Sequence, residues 1–357
     1  DTVLPDMLYA SIERCPAFGG TIESLDDTAA RAVAGVADVV RMPDPTAPAF
    51  FNIQGGVAVL ANNTWSAEQG RKALVIDWNL GANAEYSSDS YKETLIASAS
   101  APGTPVLTRG DADVDVDSTH EAVYYAPHLS QAPMEPPAAA ARVNEDGSCE
   151  VWACTQDPQA ARDTVAATLG VDKEQVTINV TLLGGGFGRK SKPDFIAEAA
   201  WLARETGRPV KVTWTREDDI RHGYLHSVSA QYFRAGMDAE GNTTSWLHRT
   251  AFPSIFSTFA PNVNGPSGFE LDLGILDNPW HVPNMRIETC EAKPHVRIGW
   301  LRSVCNVFHA FGACGFVDEL AHVKGKDAKD HLLEMIGPPR KLDPAADGAE
   351  YTNYGQD

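Results

Sequence analysis

The strongest chemical signal in the chain is Gly184-Gly185-Gly186-Phe187-Gly188-Arg189-Lys190, set between a strand-like run and a helix-like run. Three adjacent glycines let a backbone approach a ligand closely and present successive N–H groups. The start of the following helix adds the positive end of its dipole. Arg189 and Lys190 bring charge. Together these predict an anion or phosphate cradle, against the alternative of a ligand-free glycine turn. Neither common phosphate motif fits. A P-loop needs glycine before the Lys-Ser pair, and Arg189 stands there. A dinucleotide fingerprint begun at Gly184 meets Arg189, and one begun at Gly186 meets Ser191, where glycine is required.

Three further clusters are candidates. In His128-Leu-Ser-Gln131-Ala-Pro-Met134-Glu135-Pro136-Pro137, Glu135 lies in an apolar setting and needs a partner, as a structural carboxylate or a catalytic one. In Trp300-Leu-Arg302-Ser303-Val304, an arginine precedes an apolar helix. It can hold a carboxylate or phosphate bidentately, or form an ion pair. His222 and His226 lie four apart, a spacing that suits a metal pair on a helix, but no third ligand is near. No nucleophile-elbow motif is present.

Composition narrows the partners. With 29 basic and 48 acidic residues the formal net charge is -19. Such a surface repels phosphate backbones, which argues against nucleic acid or an anionic membrane as main partner. One anionic cofactor can still be held by local amides. No run approaches the ~18 apolar residues of a membrane span. Of Cys15, Cys149, Cys154, Cys290, Cys305 and Cys314, none forms a C-x-x-C pair, so an iron–sulfur centre or zinc ribbon on this chain is not indicated. Cys149 and Cys154 read as small core residues of a strand. The start at Asp1, without Met or signal peptide, predicts a processed or truncated N-terminus.

The elements that must position these residues can be read in order. Residues 8–14 form a strand. Residues 24–35 read as a helix capped by Ser24 and stopped by Gly35. Strands follow at 37–42 and 55–61, a helix at 63–74 and a strand at 75–78. Residues 1–80 are thus expected to be one compact β-α-β-β-α-β unit. Residues 81–118, with one helix and a Pro/Gly/Asp-rich stretch, read as a linker. Residues 119–357 are expected to form the second domain. It has a hairpin over 143–155 with an Asp-Gly turn and a helix over 157–170 with Asp157, Pro158 and Gly170 as its signals. It ends in an apolar helix from 306 onward. The fold class is α+β.

Three of these stretches fall in one family order: SQAPMEPPAAAARV, then TLLGGGFGRKSKPDFIAEAAWLARETGRPVKVTWTREDD, then GWLRSVCNVFHAFGACGFVDELA. The chain resembles the molybdenum-binding large subunit of the xanthine oxidase (molybdenum hydroxylase) family. The closest type is the isoquinoline 1-oxidoreductase beta subunit, with membrane-bound aldehyde dehydrogenases of similar build. The first domain resembles that family's α/β-hammerhead, and the second is similar to part of its molybdopterin-binding domain.

The resemblance implies a molybdopterin cofactor with molybdenum, as the cytosine dinucleotide. It implies hydroxylation of an aldehyde or N-heteroaromatic with water as oxygen source. Electrons would leave through 2Fe-2S clusters on a partner subunit. It places Gly184, Gly185, Gly186, Phe187, Gly188, Arg189, Gln131 and Arg302 on the cofactor, and Glu135, Arg302 and Ser303 at the substrate pocket. No direct metal ligand is expected from this chain. The family's general-base glutamate has no counterpart here, so no catalytic residue is assigned. It is expected on a second large-subunit polypeptide, beside the iron–sulfur small subunit and a cytochrome c subunit. The chain matches the middle of such a subunit, as a split half, a processed product or a fragment. The family type implies a periplasmic or periplasm-facing location, with the cytoplasm as alternative. A non-catalytic assembly module of the same fold is the other functional expectation.

Overall fold

The computed structural model describes residues 2–341. They divide into two units, one of residues 2–85, 130–225 and 295–302, the other of residues 86–129, 226–294 and 303–341. The expected boundaries at 80 and 118 are therefore corrected. The Leu8–Glu13 strand pairs in parallel with Val210–Thr213, Leu8 opposite Val210, so the N-terminal segment shares its main sheet with strands from later in the chain. The expected linker is also structured. It contains the helix Ser88–Ser100 and the strand Thr104–Arg109.

The first unit is built on a seven-stranded mixed sheet. Its strand order is Val176–Val180, Cys149–Ala153, Ala138–Val143, Val210–Thr213, Leu8–Glu13, Val57–Ala61 and Val36–Arg41. Val57–Ala61 is buried at every position. Ala58 and Leu60 enter one core with Phe195, Ile196 and Val212, while Val57 and Val59 enter another with Ile22, Ala30 and Val39. That is the two-residue period of a strand covered on both faces. On the first face lie the helices Pro158–Leu169 and Asp194–Thr206. The former starts as its signals predict: Asp157 accepts the Ala160 amide at 2.9 Å, Pro158 opens the helix, and Gly170 closes it at φ +68°.

The helix expected over 24–35 is corrected. Thr21–Asp26 is a strand paired with Val75–Asn79, and only Thr28–Arg31 is helical. Ser24 donates its hydroxyl to Asp77 at 2.6 Å instead of capping a helix. Sheet pairing overrode a local helix signal.

The second unit holds a five-stranded sheet, ordered Thr104–Arg109, Asn284–Cys290, Thr243–Ala251, Ser229–Met237 and Ser118–Ala126. The helix Asn306–Val323 sends Phe308, Phe316 and Leu320 into a core with Phe233, Trp246 and Ile287. The helix Ser88–Ser100 contributes Tyr91, Leu95 and Ala99 to a separate cluster with Ala230, Ala251 and Cys290. Leu95 is 1% exposed, which no linker residue would be. Leu95→Ala should therefore cost about 2–4 kcal/mol in urea unfolding. A residue in a true linker would change stability by less than about 0.5 kcal/mol.

Candidate functional site

The glycine loop leaves the C-terminal end of the Val176–Val180 strand and enters a short 3₁₀ turn, Arg189–Ser191, before the helix Asp194–Thr206. The neighbouring strand, Cys149–Ala153, runs parallel to it. Residues just beyond that strand therefore meet the loop. Thr155 donates its hydroxyl to the Lys190 carbonyl at 3.1 Å, and the Gln156 amide donates there at 3.0 Å. Gln156 Oε1 in turn accepts the Gly188 amide at 3.0 Å. Sequence reading missed Gln156. Its signal was its place at the carboxyl end of a strand, where open α/β sheets collect ligands and loops.

The loop is conformationally demanding. Gly185 and Gly188 sit at φ +92° and +95°, and Phe187 at φ +52°. A non-glycine residue there costs on the order of 1–3 kcal/mol. A Cβ on Gly188 would lie 2.5 Å from the Trp300 carbonyl oxygen, and one on Gly186 would lie 2.3 Å from Gln156 Oε1. Arg189 N–H closes the turn onto the Gly186 carbonyl at 2.8 Å. Among the described residues the amides of Gly185, Gly186 and Phe187 donate to no acceptor. Phe187 is about half exposed. These are the donors a bound anion or polar cofactor could use.

Two cations expected to charge the cradle are turned inward, which corrects that expectation. Arg189 is fully buried. It donates to Asp194 from Nη1 at 2.9 Å and from Nη2 at 3.2 Å, and lies 4.8 Å from the centre of the Trp214 ring. Arg297 Nη2 reaches the same Asp194 at 2.8 Å. Burial opposes the Asp194 charge, but the two guanidiniums outweigh it and hold the carboxyl below its ordinary range. Lys190 is equally buried and donates to Glu135 Oε2 at 2.5 Å. A charge spent in an internal pair is not available to a ligand.

Glu135 is thus the structural partner that its apolar setting required. It accepts the Gly184 amide at 2.9 Å, while its own amide donates to the Gly184 carbonyl at 3.0 Å. Partial burial works against its charge, yet Lys190 and the Gly184 amide hold the carboxyl below its usual value. Gln131 is buried, and its Nε2 donates to the Tyr224 carbonyl at 2.8 Å and the Trp300 carbonyl at 3.0 Å. It supports the site from behind, its two amide hydrogens already used.

Arg302 behaves differently. Its backbone amide donates to the Phe187 carbonyl at 3.0 Å, which ties it to the glycine loop. Its guanidinium is exposed and pairs with no carboxylate among the described residues. Of the cations expected at the site, it is the one left free for an anion. Ser303 is exposed at φ +72° and belongs to the second unit. The helix Arg216–His222 ends before His226, so the two histidines do not share a helix. No group of three His, Cys, Asp or Glu among the described residues is placed to hold a metal. All six cysteines are free thiols, with Cys149 and Cys154 buried as expected.

A mixed sheet with a strained glycine loop at its strand ends, open amides and one free arginine is an arrangement that could receive an anionic group. The molybdopterin cofactor-binding domain family matches residues 93–330. The chain is 27% identical to the isoquinoline 1-oxidoreductase subunit beta of Brevundimonas diminuta, over 94% of this chain and 44% of that protein. It is 28% identical to a membrane-bound aldehyde dehydrogenase of Gluconacetobacter polyoxogenes, over 94% of this chain and 45% of that protein. The aldehyde oxidoreductase structure from Desulfovibrio gigas superposes with a TM-score of 0.72 at 18% identity, covering 96% of this chain and 41% of that one. This chain belongs to the molybdenum hydroxylase family and carries its molybdopterin cofactor-binding domain. It spans less than half the length of the two relatives.

Two substitutions test this geometry. Asp194→Asn would leave Arg297 buried without its anion and Arg189 with only Asp219, 3.6 Å from its Nε, and should cost about 3–5 kcal/mol in urea unfolding. Gly188→Ala should destabilise more than Gly147→Ala. Both glycines have positive φ, but a Cβ at 147 meets nothing within 4 Å, while one at 188 meets a backbone carbonyl. Thermal unfolding of the two variants should differ by about 1–3 kcal/mol.

Proposed function

We propose that this chain is the cofactor-loop portion of a molybdenum hydroxylase that oxidises an aldehyde or an N-heteroaromatic compound, with water as oxygen source. The observation that carries the reading is the pairing of three open amides, at Gly185, Gly186 and Phe187, with Arg302 tethered to the Phe187 carbonyl. The site fits a pterin cofactor bearing a phosphate or nucleotide tail. It offers neutral donors at close backbone approach and one exposed guanidinium. Relatives named for isoquinoline and aldehyde oxidation support the substrate classes.

When bound, the molybdenum cofactor supplies the redox chemistry. This chain's residues would hold and orient it: the glycine amides could donate to it, Phe187 could offer an aromatic face, and Arg302 could meet an anionic group. Gln156, Glu135 and Lys190 keep the loop in shape from below. The cytosine dinucleotide form of the cofactor belongs to the same reading. So do a second large-subunit polypeptide with the general-base glutamate, an iron–sulfur small subunit with 2Fe-2S clusters, a cytochrome c subunit and a periplasm-facing location.

The second reading is an assembly module of this fold that binds no cofactor. One observation favours it: Arg189 and Lys190, the two cations within the loop, are both spent internally. Metal and pterin analysis of the protein isolated from its native host, with mass spectrometry of co-purifying chains, separates the two. Molybdenum, a pterin and an iron–sulfur polypeptide in fixed ratio are expected. A complex that assembles fully and carries neither molybdenum nor pterin would sink the enzyme reading.

A further inference from the structure

Lys192 lies just past the glycine loop and is 0% exposed. Among the described residues no carboxylate lies within ion-pair distance of its ammonium. Its Nζ instead donates to two backbone carbonyls on separate segments. One is Gly188, in the loop; the other is Trp300, at 3.1 Å, two residues before Arg302. The same Nζ stands 3.7 Å from the centre of the Trp300 ring. The fit is close: a Cβ on Gly299 would lie 2.5 Å from Lys192 Cε. A short relay runs alongside. Trp300 Nε1 donates to Ser191 Oγ at 2.9 Å, and that hydroxyl donates to the Gly188 carbonyl at 2.8 Å.

Burying an ammonium without a counter-ion is costly, and a methionine would fill the same space without that cost. Burial and the neighbouring Arg189 and Arg297 push the Lys192 ammonium well down from its ordinary value. What methionine lacks is a donor for two carbonyls at once. We infer that Lys192 is a positioning residue, a clasp that holds the glycine loop in register with the Trp300–Arg302 segment. It thereby sets the spacing between the open amides and the Arg302 guanidinium. This rests on the cofactor reading above for its purpose, but not for its geometry.

The test compares wild type, Lys192→Met and Lys192→Gln as the full chain in its native complex. Two readouts are taken: amide hydrogen exchange, and pterin retained after purification. In Lys192→Met, exchange at the hydrogen-bonded amides of Gly188 and Arg302, one on each segment, should rise together by about tenfold, with the helix Asp194–Thr206 unchanged. Retained pterin should fall by about tenfold, as when supporting partners of a bound group are lost. Lys192→Gln keeps two N–H donors on a shorter stem and should recover most of both losses. It also carries the comparison if the methionine variant does not fold. Exchange that stays unchanged at both segments, that rises at only one, or that rises equally throughout the domain overturns the clasp. A wild type without pterin would instead defeat the functional reading, and the exchange data would still decide on Lys192.

Discussion

Asp194 between two arginines is the interaction on which the site's architecture depends. Arg189 comes from the loop, five residues away, and Arg297 from a segment more than a hundred residues on. Both meet one carboxylate at the start of the helix Asp194–Thr206, where the helix dipole also favours a negative charge. The pair system is fully buried and backed by the Trp214 and Tyr224 rings, the latter 3.8 Å from Arg297. The folded protein holds Asp194 below its usual carboxylate range. Its stabilising effect is therefore full above the unfolded carboxyl value and is lost as pH falls through the folded one. Because Arg189 follows Gly188 directly, anchoring its side chain fixes where the glycine loop begins and ends.

That anchoring changes how an acidic protein can hold an anion. The loop's arginine and lysine look like ligands for phosphate, yet both face inward. On the cofactor reading, recognition would fall on neutral backbone amides and on one exposed guanidinium. The arrangement suits a chain of net charge -19. Its overall field is screened beyond about 8 Å at physiological salt. Over shorter distances, oriented N–H groups at a close backbone approach decide the sign of the local potential.

What the sequence disclosed follows the range of the forces involved. Local signals held: Asp157, Pro158 and Gly170 bounded a helix as read, and the Asp-Gly turn produced a hairpin with Gly147 at φ +82°. The glycine loop, Gln131, Glu135 and Arg302 were visible as unusual residues in unusual settings, and one unit brings them together. Side-chain direction was not visible. Whether Arg189 faces a ligand or Asp194 depends on Arg297, Trp214 and Tyr224, none of them near in sequence. The parallel pairing of Leu8 with Val210 was hidden for the same reason, and with it the division into units. Gln156 and Lys192 escaped notice because an amide and a lysine carry no pattern until their acceptors are known.

Four of the seven positive-φ non-glycine residues among those described lie in or next to the site motifs in the chain. Ala132, Phe187, Ser303 and Val304 all take positive φ without being glycine, at +37°, +52°, +72° and +48°. Val304 is β-branched, the side-chain type least suited to that conformation. Two of the four belong to the motifs carrying Gln131 and the glycine loop, and two follow Arg302 directly in the chain. Such conformations persist only where surrounding contacts over-determine them. At Phe187 those contacts are explicit: Arg302 N–H on its carbonyl, and Gln156 on the next amide. Those bonds hold the backbone in a shape that leaves its own donors unused. Those donors are the ones the proposed cofactor would use, at a backbone approach that a side chain at Gly186 or Gly188 would close off.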